Sequence, residues 1–126
     1  MKHLKSYKLF ESVGQDIEEM LIEINDELYW KAKCWSEEYG WIVIIEVVDE
    51  DPEYELEGQT PPPVVVETIE RLIDYMSQND FDKYRITYEE DNNDEIAEVS
   101  IEEVSKLDVW SNQFIRVEFW NEKLYK

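Results

Sequence analysis

Residues 41–48, Trp-Ile-Val-Ile-Ile-Glu-Val-Val, form the most apolar run in the chain and constrain its fold more than any other feature. Eight residues rich in β-branched side chains suit a strand and are too few for a stable helix. Both alternating faces are apolar apart from Glu46. The segment is therefore expected to be a central strand covered on both sides. Tyr39-Gly40 just upstream supplies a turn.

The neighbouring segments carry two other periods. From Gln15 to Leu28, apolar residues recur at Ile17, Met20, Leu21, Ile24 and Leu28, the stripe of an amphipathic helix. Gly14 and Ser12 would mark its entrance, with Asp16, Glu18 and Glu19 in a first turn where the helix dipole favours acids. Val64 to Asn79 repeats the stripe with Val65, Ile69, Leu72, Ile73 and Met76. Tyr29–Trp35 alternates, with Trp30, Ala32 and Cys34 on one face and Tyr29, Lys31, Lys33 and Trp35 on the other. It should form a hairpin with the apolar run. Lys83–Glu89 alternates likewise, Ile96–Val99 fits a short strand, and Asn112–Trp120 fits a closing strand with Ile115, Val117 and Phe119 inward. Ser100 and Glu103 stand in capping-box spacing, predicting a short helix to about Leu107. Residues 2–10 fit either a short strand or a docked arm.

Ile17-Glu18-Glu19-Met20-Leu21 aligns with Ile69-Glu70-Arg71-Leu72-Ile73, and an alternating strand follows each. The expected fold is thus α+β: an antiparallel-rich sheet with two main helices on one face, built from two helix–strand–strand units. A chain of 126 residues suits one such domain, spanning 1–126, with an acidic connector at 49–63 between its halves.

Charge narrows the function. Thirty-two acids stand against 12 Lys and Arg, a net charge of −20. Acidic disordered tails lack aromatics, whereas this chain is 13% aromatic and can fill a core. A folded protein that tolerates such self-repulsion gains solubility, or it faces a basic partner. One cysteine, Cys34, makes an intrachain disulfide impossible and fits a reducing compartment. No apolar run reaches transmembrane length. The expected location is the cytoplasm.

The opening Lys5-Ser6-Tyr7-Lys8-Leu9-Phe10-Glu11-Ser12, the following Asp16-Ile17, the helix ending Glu27-Leu28 and the later Ile73-Asp74-Tyr75-Met76 resemble small uncharacterised tailed-phage proteins over about half of the chain. That resemblance brings no activity or site residue. It implies a phage-like origin, with a location in the host cytoplasm and a role against host defences.

Catalytic chemistry finds little material. His3 is the only imidazole, and Cys34 falls on an apolar strand face, where a packed thiol is the expectation. No Cys/His zinc spacing or glycine-rich phosphate loop occurs. Asp91, Asn93, Glu95 and Glu102 match positions of a calcium loop, but Ile96 stands where that loop needs glycine. We therefore expect no enzyme, no cofactor and no metal.

Two groups of residues are candidates for binding. The connector carries Asp49, Glu50, Asp51, Glu53, Glu55 and Glu57, ahead of Pro61-Pro62-Pro63, which stiffens its end. Extended, Glu53, Glu55 and Glu57 project carboxylates about 6–7 Å apart, similar to successive phosphates along a nucleic-acid strand. The second group is Lys31, Lys33, Trp35, Lys83, Arg85, Phe114, Arg116 and Trp120, all on the non-core sides of expected strands. Such a face suits stacked bases, or a dimer; its plainer reading is pairing of the cations with Glu46, Glu89 and Glu118 across the sheet. Net charge disfavours direct nucleic-acid binding. The first expectation is a non-enzymatic inhibitor that binds a basic nucleic-acid-binding effector by mimicry, as an anti-CRISPR or anti-restriction protein would. The alternative is an immunity protein for a basic nuclease toxin. The third is a nucleic-acid-binding module using the sheet face.

Overall fold

The computed structural model describes residues 2–27, 30–37, 42–50, 60–89, 96–107, 109 and 113–121, without the side chains of 2–12, 49, 89 and 96. The elements run α1 (Lys2–Asn25), β1 (Trp30–Glu37), β2 (Ile42–Asp49), α2 (Pro63–Gln78), β3 (Lys83–Glu89), β4 (Ile96–Val99), α3 (Ile101–Val104) and β5 (Phe114–Trp120). This is the α+β class the periodicities predict.

The first helix departs most from expectation. α1 takes in residues 2–10, expected as a strand or arm, so Ser12 and Gly14 lie inside it and Asp16, Glu18 and Glu19 sit well beyond its first turn. Leu4, Tyr7, Phe10, Val13 and Ile17 extend the three-and-four spacing upstream. A continuous apolar stripe outweighs the roughly 1 kcal/mol that an internal glycine costs a helix. The helix stops at Asn25, ahead of the expected end at Leu28, which lies outside the described residues. α2 lies within a residue of its expected bounds. Pro63 occupies its first turn, where a missing N–H costs nothing. Beyond it Asp80 adopts a left-handed conformation (φ 73°), and the Phe81 N–H donates to the Met76 carbonyl at 2.9 Å, closing the helix end. α3 carries the full capping box: the Glu103 N–H donates to Ser100 Oγ (3.3 Å) and the Ser100 N–H to Glu103 Oε1 (3.1 Å). It is shorter than expected, ending at Val104.

All strand pairs are antiparallel, in the order β1-β2-β5-β3-β4. The expected β1–β2 hairpin exists, β3 and β4 pair in the same way, each pair follows a main helix, and β5 lies between the two pairs. The apolar run is therefore interior but second in order, and β5 holds the centre. Which strand is central depends on pairing between segments about 70 residues apart, such as Glu46 with Arg116, and local periodicity does not encode that.

Both main helices cover one sheet face. Ile17, Leu21 and Ile24 of α1 and Val65, Ile69, Leu72 and Met76 of α2 are buried with Val43, Ile45 and Val47 of β2 and Ile115, Val117 and Phe119 of β5. Met20 and Ile73, expected in this core, sit partly buried at its margin. The helices run antiparallel to each other: Tyr75 of α2 donates to Asp16 Oδ2 (2.5 Å), and Arg71 reaches Glu23 at 3.4 Å. Burial first, and then the Asp16 carboxylate, push the Tyr75 phenol up to about 12.

Candidate functional site

The sheet face away from the helices brings the second group of candidates together. Strand alternation places Lys31, Lys33 and Trp35 of β1, Lys83 and Arg85 of β3, and Phe114, Arg116 and Trp120 of β5 on this one face. Cross-strand register arranges them in rows. Lys33, Glu46, Arg116, Thr87 and Glu98 form one row across all five strands, and Trp35, Ile44, Glu118 and Arg85 form the next.

Glu46 is the hinge of the first row. Its carboxylate accepts from Arg116 Nη2 at 3.0 Å and lies 3.7 Å from Lys33 Nζ. The Glu46 side chain is only 11% exposed, and a carboxylate so enclosed needs cationic partners to offset its desolvation. The Arg116 guanidinium leans over it between two rings, 5.8 Å from the Trp35 centroid and 5.1 Å from that of Phe114. Lys33 lies 5.6 Å from the Trp35 ring. These are cation–π distances, worth about 0.5–1 kcal/mol each where exposed. In the next row Arg85 Nη2 donates to Glu118 Oε2 at 3.0 Å. The sequence-level expectation that Glu46 and Glu118 pair with strand cations is what the geometry shows. The Glu89 side chain lies outside the described residues.

Because Arg116 leans toward β2, a hollow of about 320 Å³ opens on its other side, lined by Arg85, Thr87, Glu98, Arg116 and Glu118. Arg116 Nε is buried with no hydrogen-bond partner among the described residues. The hollow's two guanidiniums and two carboxylates cancel in charge, so it has no net pull on a phosphate. A phosphate there would compete with Glu46 and Glu118 for the two arginines.

Most of the acidic connector, 51–57 with Asp51, Glu53, Glu55 and Glu57, lies outside the described residues. Asp49 ends β2 rather than beginning a connector, and Glu50 is exposed. The calcium-like run 91–95 is also outside them, while Glu102 sits exposed on α3. Among the described residues no three His, Cys, Asp or Glu side chains converge as a metal site, and no helix is long and apolar enough to cross a membrane. Cys34 packs partly buried against the core. Burial first, and then the nearby Glu18 charge, push its thiol up to about 11, far from a thiolate at neutral pH.

A second acidic surface, not singled out in the sequence, lies on the helices. Asp16, Glu19 and Glu23 on α1 and Glu67, Glu70 and Asp74 on α2 repeat the same i, i+3, i+7 spacing, and all six are exposed. The two helices lie side by side, so the rows adjoin. Arg71 is the one cation within α2, and residues 13–25 of α1 contain none. The i, i+3, i+7 recurrence was visible in the chain. What was not visible was that the two rows would be neighbours. No protein family, curated protein or solved structure compared with the chain matches it.

Proposed function

We propose that the protein is a non-enzymatic acidic binder that occupies the cationic groove of a nucleic-acid-binding effector, its carboxylates standing where phosphates would. The observation that carries this reading is the pair of adjoining carboxylate rows on α1 and α2. Neighbours three or four apart on a helix lie about 5–6 Å from each other, and packed helices about 8–10 Å apart. Six exposed acids in that arrangement, of which Asp16 is also held by Tyr75 and Glu23 by Arg71, form a dense anionic surface on a rigid support, which loses little conformational entropy on docking. The acids of residues 49–57 add to the net negative charge. A defence effector and a nuclease toxin present the same electrostatics, so an anti-defence protein and an immunity protein both fit.

The cation-bearing sheet face supports the third reading, a nucleic-acid module, less well. Lys33, Arg85 and Arg116 are each engaged by a glutamate of the same sheet, and net charge −20 repels a polyanion at long range.

The test is capture from host lysate after nuclease treatment, followed by competition with duplex DNA. The expected result is retention of a nucleic-acid-binding protein that added DNA displaces and that weakens as salt rises. Replacing Asp16, Glu19, Glu23, Glu67, Glu70 and Asp74 by Asn or Gln should reduce capture, mainly through a slower association rate. Retention indifferent to DNA, or direct binding of the bare protein to DNA, overturns the reading.

A further inference from the structure

The outer edge of β1 is an unfinished ladder. As the end strand of the sheet it pairs with β2 on one side only. On its other side one residue is already satisfied: the Ala32 N–H donates to Asn25 Oδ1 (2.8 Å), and Asn25 Nδ2 donates to the Ala32 carbonyl (3.2 Å). The Asn25 side-chain amide thus does for Ala32 what the backbone of a neighbouring strand would do. In an antiparallel ladder the N–H and C=O of one residue point to the same side, and successive residues alternate. If those of Ala32 point outward, so do those of Cys34 and Ser36. No described residue bonds their outward groups.

The space beside them is shaped. A groove of about 340 Å³ lies between α1 and this edge, lined by Glu18, Leu21, Asn25, Ala32, Lys33 and Cys34. Leu21, Ala32 and Cys34 give it an apolar floor. Gly14, Glu18, Leu21 and Asn25 fall on one stripe of α1 (i, i+4, i+7, i+11), so the stripe continues past Glu18 with a residue that has no Cβ. The exposed carboxylate of Glu18 stands along it, while Lys33 is turned to Glu46. Glu37, exposed on the sheet's other face, accepts from Trp35 Nε1 at 3.3 Å.

We infer that β1 accepts an extended basic segment of a protein partner as a sixth strand, pairing with Cys34 and Ser36 and continuing the ladder that the Asn25 amide begins. An apolar side chain of that segment fills the groove over Leu21 and Cys34 beside Glu18, and its flanking Lys or Arg side chains, which alternation points to the sheet's other face, meet Glu37. Backbone pairing supplies affinity and the alternate pockets supply selectivity, as in other cases of strand addition. The acidic rim and the charge of −20 select a basic strand over a second copy of this chain. The inference rests on the reading that the partner is basic, and it adds where and in what conformation that partner is held.

The probe is the capped peptide acetyl-Lys-Val-Lys-Val-Lys-amide, followed by amide hydrogen exchange on the isotope-labelled full chain. With peptide at about ten times its Kd, exchange at the Cys34 and Ser36 amides should slow about tenfold, and the Lys33 amide, which faces β2, should be unchanged. The same peptide N-methylated at alternate residues, and its Glu-Val-Glu-Val-Glu counterpart, should not protect them. Ser36→Pro removes only an outward N–H, which an edge strand tolerates, and should abolish protection. Glu18→Lys, exposed on α1, should weaken it. Binding of the basic peptide without protection of Cys34 and Ser36 overturns the inference while leaving displacement of a captured effector by DNA untouched. Equal protection by the N-methylated peptide, or protection that appears on concentrating the protein alone with a dimer in sedimentation, also overturns it. Loss of DNA-competed capture while the edge remains protected by the basic peptide breaks the mimicry reading alone.

Discussion

The two faces of one sheet reach burial by different means. Under the helices, Val43, Ile45, Val47, Ile115 and Val117 lose all exposure to aliphatic and aromatic neighbours. On the opposite face of the same sheet, Ile44, Glu46 and Thr87 are nearly as buried, at 3%, 9% and 7% exposure, yet no described helix covers them. There the cover includes Lys, Arg, Trp and Phe side chains whose stems and rings lie along the sheet while their charges meet at Glu46 and Glu118. Long amphipathic side chains can shield apolar surface in this way. The helix-covered face depends on volume and shape. The open face depends on charges meeting in register, so its stability responds to pairing and salt.

The comparison can be broken at several points. Leu72→Ala, on the helix-covered side, removes a fully buried side chain and should cost about 2–5 kcal/mol in urea denaturation, with little dependence on salt. A loss below about 1 kcal/mol would mean the α2 stripe is not seated as described. Glu46→Ala, on the open side, strands Arg116 and Lys33. It should cost about 1–3 kcal/mol, and a double-mutant cycle should place more of the coupling on Arg116 than on Lys33, which is 67% exposed. Equal coupling would mean the Glu46–Arg116 contact is not the enclosed one. Arg85→Ala breaks a pair whose arginine is 47% exposed and should cost about 0–1 kcal/mol, shrinking further in added salt. The smallest effect is at Cys34. Its thiol is raised from 9.0 to about 11, so the folded state favours the protonated form. That contribution is fully present below pH 9 and is lost as pH climbs toward 11. Alkylation of the native protein should be slow at pH 8 and accelerate only above pH 10. Rapid labelling at neutral pH would show the thiol exposed.

These two faces also mark what the chain revealed of itself. Alternation in Trp30–Trp35, Lys83–Glu89 and Phe114–Trp120 assigned each side chain to its face, and hence collected Lys33, Trp35, Arg85, Phe114, Arg116 and Trp120 on one surface. Period-two patterning is local and strong. The long α1 was hidden because Gly14 interrupts the helical signal and Lys2, Lys5 and Lys8 lie at the end of the helix where its dipole disfavours cations, while the stripe through Val13 to Ile24 overrides them. The place of β5 was hidden for a different reason: strand order is decided by pairing between distant segments. Asn25 carried no signal at all, since an asparagine near a helix end reads as a turn, and only the fold brings its amide to the Ala32 backbone. Likewise Glu18 was legible as an acid on a helix, but not as the rim of a groove.

The central position of β5 governs how the sheet is assembled. Both hairpins are made of neighbours in the chain and can form early, but their inner edges, on β2 and β3, have no partner until residues 114–120 arrive. Closing the sheet therefore waits on its most non-local pairing, the kind that slows folding by raising contact order. During that interval two strand edges, one of them the Ile42–Asp49 run, are open to pairing with other chains. A ribosome delivers the strand that joins the two halves after both hairpins have emerged. A high net negative charge, whatever else it serves, then keeps half-built copies apart until the last strand is in place.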